Sequence, residues 1–175
     1  PGRDWLGGGR PHWACAGVSH GGLLAFGLMV ASSPTGGTAS IADLLSGVRA
    51  CERFVDSDGS PAVLTDEGWV ALTDVTAADG DSLAFKHAEN PALAMVASKV
   101  GPTGARCAVS AGIRSERAVR ELYRRLIDDR TDTICAQDQQ QSYIVAGDNV
   151  IALAMIGTND QPAIRIAVAK HGNTR

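Results

Sequence analysis

Apolar residues recur at three- and four-residue steps between Ile41 and Val55, at Ile41, Leu44, Leu45, Val48, Cys51 and Val55. That spacing lays one apolar stripe along a helix and predicts an α-helix over this stretch, with Cys51 on its buried side. Ser40 stands at the N-cap position, and Asp43, three residues on, completes the form of a capping box. Asp56-Ser57-Asp58-Gly59 ends the helix. Ser60-Pro61 opens a short second one, with Ser60 as N-cap and Pro61 in the first helical position. Gly68 closes it as a left-handed cap, and Trp69 turns its large side chain back onto the core.

From Leu72 onward the period changes to alternation. Leu83 to Ala88, Leu93 to Val100 and Arg106 to Ala111 read as strands, separated by the turn sequences Asn90-Pro91 and Gly101-Pro102-Thr103-Gly104. Period two places Cys107, Val109 and Ala111 on one face. Ser115 then caps the strongest helical pattern, Glu116 to about Asp129, whose apolar face is Val119, Leu122, Tyr123, Leu126 and Ile127. Glu116/Arg120 and Glu121/Arg125 stand four apart with the acid first, the favourable order. The tail alternates again in three strands, Ser142 to Ala146, Val150 to Ile156 and Ala163 to Ala169, joined by short turns. The order α-α-β-β-β-α-β-β-β with short connections predicts an α+β domain. Its sheet would be antiparallel, of about six strands, with helices packed on one face.

What precedes Ser40 has a different character. Arg3, Arg10, His12 and His20 lead into an uncharged run from Leu23 to Ala31, and small residues follow up to Ala39. A positive start, a short apolar middle and a small-residue end is the pattern of a secretory signal peptide. The apolar run is about nine residues, whereas a bilayer-spanning helix needs roughly 20. Residues 1–39 are therefore expected to be cut away, after Ala39 or Ala42, leaving residues 40–175 as a single domain in the periplasm or outside the cell, with no membrane span. A leader left uncut would make it a tethered ectodomain instead. The chain holds 16 Lys+Arg and 19 Asp+Glu; residues 1–39 contribute Arg3, Arg10 and Asp4, so the remainder keeps 14 and 18, a net charge of −4. That excludes the broadly basic surface a nucleic-acid partner requires.

Four cysteines are present. Cys15 precedes the apolar run, whereas a lipid-anchor cysteine follows it, and it leaves with the leader. Of Cys51, Cys107 and Cys135, an oxidising compartment would pair two, and none has the C-x-x-C spacing of a redox or zinc site. A cysteine on a first helix (Cys51), a Gly-Trp closing a second (Gly68-Trp69) and a strand-borne Arg106-Cys107-Ala108-Val109 together resemble a class of small exported bacterial proteins with no assigned function. The resemblance covers about residues 40 to 130 and brings no catalytic residues with it. It implies a Cys51–Cys107 disulfide joining the first helix to the sheet. The inward placement of both cysteines agrees with that pairing. Cys107–Cys135, tying the strand to the region after the long helix, is the alternative the sequence leaves open.

Candidate chemistry is sparse. Gly17-Val18-Ser19-His20-Gly21 matches the nucleophile-elbow pattern, but Ser19 belongs to the leader and the chain is short for a hydrolase of that fold. Asp56, Asp58, Ser60 and Glu67 stand at positions one, three, five and twelve of a calcium loop, yet Pro61 occupies the sixth position where the turn needs Gly, and Leu64 the ninth. His87 and Glu89, two apart near a strand end, form an acid/His pair able to do acid–base work. Asp79-Gly80-Asp81 is a turn sequence, and Arg114, Arg117, Arg120, Arg124, Arg125 and Arg130 crowd the long helix among acids. The expectation is an exported envelope protein without a cofactor, acting as a non-enzymatic binding, inhibitory or accessory module toward an envelope protein partner. The rival is a small exported hydrolase-like enzyme using His87 with Glu89 and Asp81.

Overall fold

The computed structural model describes residues 37–72, 82–99, 104–128, 134–138, 141–158 and 160–170. Cys15, Ser19, Asp79, Asp81, Arg130 and His171 lie outside them. The first helix, α1, runs Ile41–Asp56. Its capping box is complete: the Asp43 amide donates to Ser40 Oγ at 3.1 Å and the Ser40 amide donates to Asp43 Oδ2 at 2.9 Å. The second, α2, is a single turn, Ala62–Thr65. It begins one residue later than the pattern suggests. Pro61, not Ser60, is the cap, because the Pro61 carbonyl accepts the amides of Leu64 and Thr65, while the Ser60 amide donates to Ser57 Oγ. Gly68 follows it with φ +81°, the left-handed geometry expected of it.

Eight strands follow among the described residues: β1 Trp69–Ala71, β2 Ser82–His87, β3 Ala94–Lys99, β4 Ala105–Gly112, β5 Ile134–Asp138, β6 Gln141–Ala146, β7 Asn149–Met155 and β8 Ala163–Lys170. A third helix, α3, Glu116–Asp128, lies between β4 and β5. All strands form one antiparallel sheet in the order β1-β2-β3-β4-β8-β7-β6-β5. The α+β class and the order of elements are those read from the sequence, with two added strands. β1 is only three residues long, too short to show alternation. β5 is partly polar, and its register with β6 shifts between Ile134 and Gln137, so its pattern carries no clean period.

Register assigns every side chain to a face. Phe85, Met95, Val109, Ile166 and Leu153 stand side by side across β2, β3, β4, β8 and β7, and Ala97, Cys107, Val168, Ile151 and Ile144 form the adjacent row. These rows, with Leu44, Val48, Phe54 and Val55 of α1 and Leu122 and Leu126 of α3, make one buried core. Each large side chain so buried contributes about 1.5–3 kcal/mol before chain entropy is counted. Helix α1 lies over β4 and β8. Gly47 permits the close approach, since a Cβ there would stand 2.8 Å from Val109 Cγ2.

Cys51 and Cys107, both essentially without solvent exposure, are joined by a disulfide across 5.2 Å between Cα atoms. That link takes Cys107 away from Cys135, whose strand is β5. Polar clamps hold the C-terminal end of α1 to the sheet: Asp56 Oδ1 accepts from Lys170 Nζ at 2.6 Å and from Asn149 Nδ2 at 3.1 Å, and Asp58 pairs with Lys99 at 2.8 Å. Just before β4 meets α3, residues 37–39 join the fold, with Thr38 bridging to Gly112 and the Ala39 amide donating to the Gly112 carbonyl at 3.0 Å. No described helix is long and apolar enough to cross a membrane.

Candidate functional site

His87 ends β2 on the core side of the sheet, and its ring meets the Trp69 indole edge to face at 5.1 Å between centroids. The Glu89 backbone amide donates to His87 Nδ1 at 3.3 Å. Residue 89 thus reaches His87 through its backbone, and its exposed carboxylate takes no part in that contact. Nδ1 accepts in this arrangement, which leaves the ring proton on Nε2. Asp43 lies near enough to feel His87, but its own carboxyl is committed to the cap: the Ser40 hydroxyl holds it below the usual carboxylate range, with burial opposing and Asn90 assisting.

The three carboxylates of the calcium pattern face three different cations. Asp56 is taken by Lys170, Asp58 by Lys99, and Glu67 by Arg53. No group of three metal-ligating side chains forms among the described residues. On α3, Glu121 binds both Arg124 and Arg125, at 2.6 and 2.9 Å. An open, largely apolar groove of about 390 Å³ lies between the start of α1 and α3, lined by Ala39, Ser40, Ile41, Ala42, Arg114, Ala118 and Arg125. Trp69 is buried in the core, and the half-buried Tyr123 packs against the core's edge; burial pushes the Tyr123 phenol up.

The surface least like an ordinary protein exterior is the other side of the sheet. Its rows follow from register. One reads Ala84, Val96, Ala108, Ala167, Ala152 and Tyr143 across β2, β3, β4, β8, β7 and β6; the next reads Lys86, Ala94, Ser110, Arg165, Ala154 and Gln141. A third holds Ser82, Ser98, Arg106, Ala169, Val150 and Val145. Ala108, Ala167 and Val150 are buried, yet they stand apart from the core formed with the helices. The second row runs on to Asp138 of β5 at one end and Val70 of β1 at the other, so the described positions of this face include three cations and one carboxylate. A sheet face turned to water is normally polar, and alanine is disfavoured in strands, so neither solvent exposure nor strand propensity accounts for this composition.

Arg165, in the middle of this face, is half-buried and takes part in no hydrogen bond or ion pair with the described residues; loss of water alone pulls its guanidinium below the usual arginine value. On the same face, two rows from Arg165 and on the more distant strands β2 and β3, Ser82 and Ser98 stand opposite each other, and both hydroxyls are buried without a partner among the described residues. Sequence reasoning stops short of this face. Its signal lies in the outward positions of β8, Ala163, Arg165, Ala167 and Ala169, which are small or cationic where a solvated strand would carry mixed polar residues. Comparison with protein-family models, curated proteins and solved structures finds no match to this chain.

Proposed function

We propose that this chain is an exported envelope protein that works by binding, as an inhibitory, accessory or other non-enzymatic module, and that the sheet face that no described helix covers is the binding surface. The observation that carries the reading is Arg165, half-buried on that face with no hydrogen bond or ion pair to the described residues. A cation that has lost water without gaining a partner is costly to keep, and an arriving anionic group recovers that cost. Against the rival enzyme reading stands His87, whose Nδ1 accepts from an amide and whose ring is packed on Trp69. Export is supported by the leader pattern, and the Cys51–Cys107 bridge is compatible with an oxidising compartment. The capping geometry favours cleavage after Ala39, which keeps Ser40 and its box, over cleavage after Ala42, which removes Ser40.

Two measurements test the reading. N-terminal sequencing of the protein from cell envelopes should begin at Ser40; a full-length protein recovered from the cytosol with reduced thiols refutes export. A photo-crosslinking residue in place of Ala152, on that sheet face, should give a discrete adduct in envelope extract that Arg165→Gln abolishes. The same probe in place of the exposed Ser46 on α1 should give none. Equal labelling from both positions refutes the assignment of the binding surface.

A further inference from the structure

We infer that folding hides the leader junction: in the folded domain the Ala39–Ser40 bond is shielded from a peptidase, so the leader is removed before the domain forms and a chain that folds first keeps it. This rests on the reading of Ala39 as the end of the leader. A peptidase takes the residues before its cut as an extended segment, through their backbone groups and small side chains. Here the residues on both sides of the bond are engaged elsewhere. Before it, Ala39 is buried in the core, its amide donates to the Gly112 carbonyl at 3.0 Å, and Thr38 bridges in parallel to Gly112. After it, the Ser40 amide donates to Asp43 Oδ2 at 2.9 Å, the Ser40 hydroxyl accepts from the Asp43 amide at 3.1 Å, and the Ser40 carbonyl accepts from the Leu44 amide at 3.1 Å. Asn90, from the turn between β2 and β3, also hydrogen-bonds Asp43 through its side chain.

β4 is shaped to receive this segment. A Cβ on Gly112 would stand 2.8 Å from the Gly37 carbonyl oxygen, and the three nearest atoms it would meet all belong to Gly37 and Thr38. Glycine at the end of β4 is therefore what lets residues 37–39 lie alongside it. Cutting the folded protein requires a local opening in which Thr38 and Ala39 leave β4, Ala39 leaves the core and the capping box comes apart. Proteolysis of a bond exposed only on opening follows the population of the open form when opening is fast. One lost hydrogen bond, one lost cap and one small apolar side chain exposed to water together hold that population to about one molecule in a hundred.

The test offers two substrates to a bacterial leader peptidase: the folded full chain with its Cys51–Cys107 bridge intact, and a synthetic peptide of residues 28–46 as the unstructured form of the same site. Mass spectrometry reads the bond cut, and circular dichroism checks that the chain stays folded. The peptide should be cut after Ala39, and the folded chain at the same bond about a hundredfold more slowly or less. Gly112→Ala puts a methyl against the Gly37 carbonyl and should speed cutting of the folded chain about tenfold or more by displacing the segment. Ser40→Ala, measured against its own matching peptide, should speed it severalfold by weakening the cap. A folded chain cut at the peptide's rate overturns the inference and leaves the leader reading intact. So do two folded variants cut no faster than wild type, since the packing of residues 37–39 and the cap would then not be what protects the bond. A peptide cut elsewhere, or not at all, removes the reading of Ala39 as the leader's end and the inference with it.

Discussion

Reducing the Cys51–Cys107 bridge should weaken this fold more than any single side-chain change on its surface. The two cysteines are 56 residues apart in sequence. For a closed loop of that length the chain-entropy relation gives about 14 cal/mol/K, or about 4 kcal/mol at 25 °C. A domain of this size has roughly 5–15 kcal/mol in total, so the bridge supplies about a quarter of it or more. The link also fixes α1 at the place where Gly47 brings it against Val109, so its loss frees the helix whose side chains make up much of the core. The assay is equilibrium urea unfolding in a Cys135→Ala background, oxidised and fully reduced, with Cys51→Ala/Cys107→Ala as the permanent form of the reduced state. At a typical urea slope of about 2 kcal/mol/M, the midpoint should drop by on the order of 2 M. A reduced protein within about 1 kcal/mol of the oxidised one would show that α1 and β4 hold each other without the cross-link, and the reasoning would fail.

Gly47→Ala gains about 1 kcal/mol of helix propensity but drives a methyl into Val109, at a typical overpacking cost of 1–3 kcal/mol. The change should be net destabilising, with a coupling of about 1 kcal/mol to Val109→Ala in a double-mutant cycle; strict additivity would sink it. Lys170 chiefly, with Asn149, holds the Asp56 carboxyl below its ordinary value against the opposing effect of burial. A depressed carboxylate stabilises above its unfolded value of about 3.9 and loses that contribution as pH falls through the lower folded value. Asp56→Asn should therefore be less stable than wild type at neutral pH and converge with it in acid, and a gap unchanged down to pH of about 2 would contradict this. Ser40→Ala should cost about 1 kcal/mol in thermal or urea unfolding and let the Asp43 carboxyl rise, visible in its NMR titration; an unmoved Asp43 would show that the cap contributes nothing to its depression. Ala152→Thr should stabilise the protein by a few tenths of a kcal/mol through strand propensity, and an unchanged urea midpoint would contradict this.

The elements with strong periods were readable because their local signals and their tertiary roles agree. The stripe from Ile41 to Val55, the capping box at Ser40 and the alternation through Cys107, Val109 and Ala111 all reappear in the core. Each helix covers one side of the sheet, so inward positions had to be apolar and the pattern had to show. β1 and β5 were not readable for opposite reasons. β1 owes its existence to pairing with Phe85, Lys86 and His87, a partner far away in sequence, and β5 breaks register before alternation can accumulate. The position of the cross-link could be narrowed because both cysteines face inward, but the choice between Cys51 and Cys135 as partner of Cys107 depended on which element lies over β4. That is a matter of topology, which local pattern does not encode.

Sites are found in sequence when their residues are unusual for where they stand, and the sheet face that no described helix covers fails that criterion one residue at a time. Alanine at 84, 94, 152 or 154 is unremarked alone, and Arg165 reads as an ordinary solvent-facing residue of a strand. Only register brings Lys86, Ser110 and Arg165 into one row. His87 with Glu89, and Asp56 with Asp58 and Glu67, stood out for the opposite reason: they are close in sequence and chemically suggestive, yet structure directs each to a separate structural partner. Short-range clusters of polar residues arise at turns and helix ends because those places need caps and ion pairs. The surface proposed above to bind is spread over six antiparallel strands and has no short-range signature. Its mark is summed over distant segments: small side chains at the outward positions of one strand after another, which no single stretch of sequence displays.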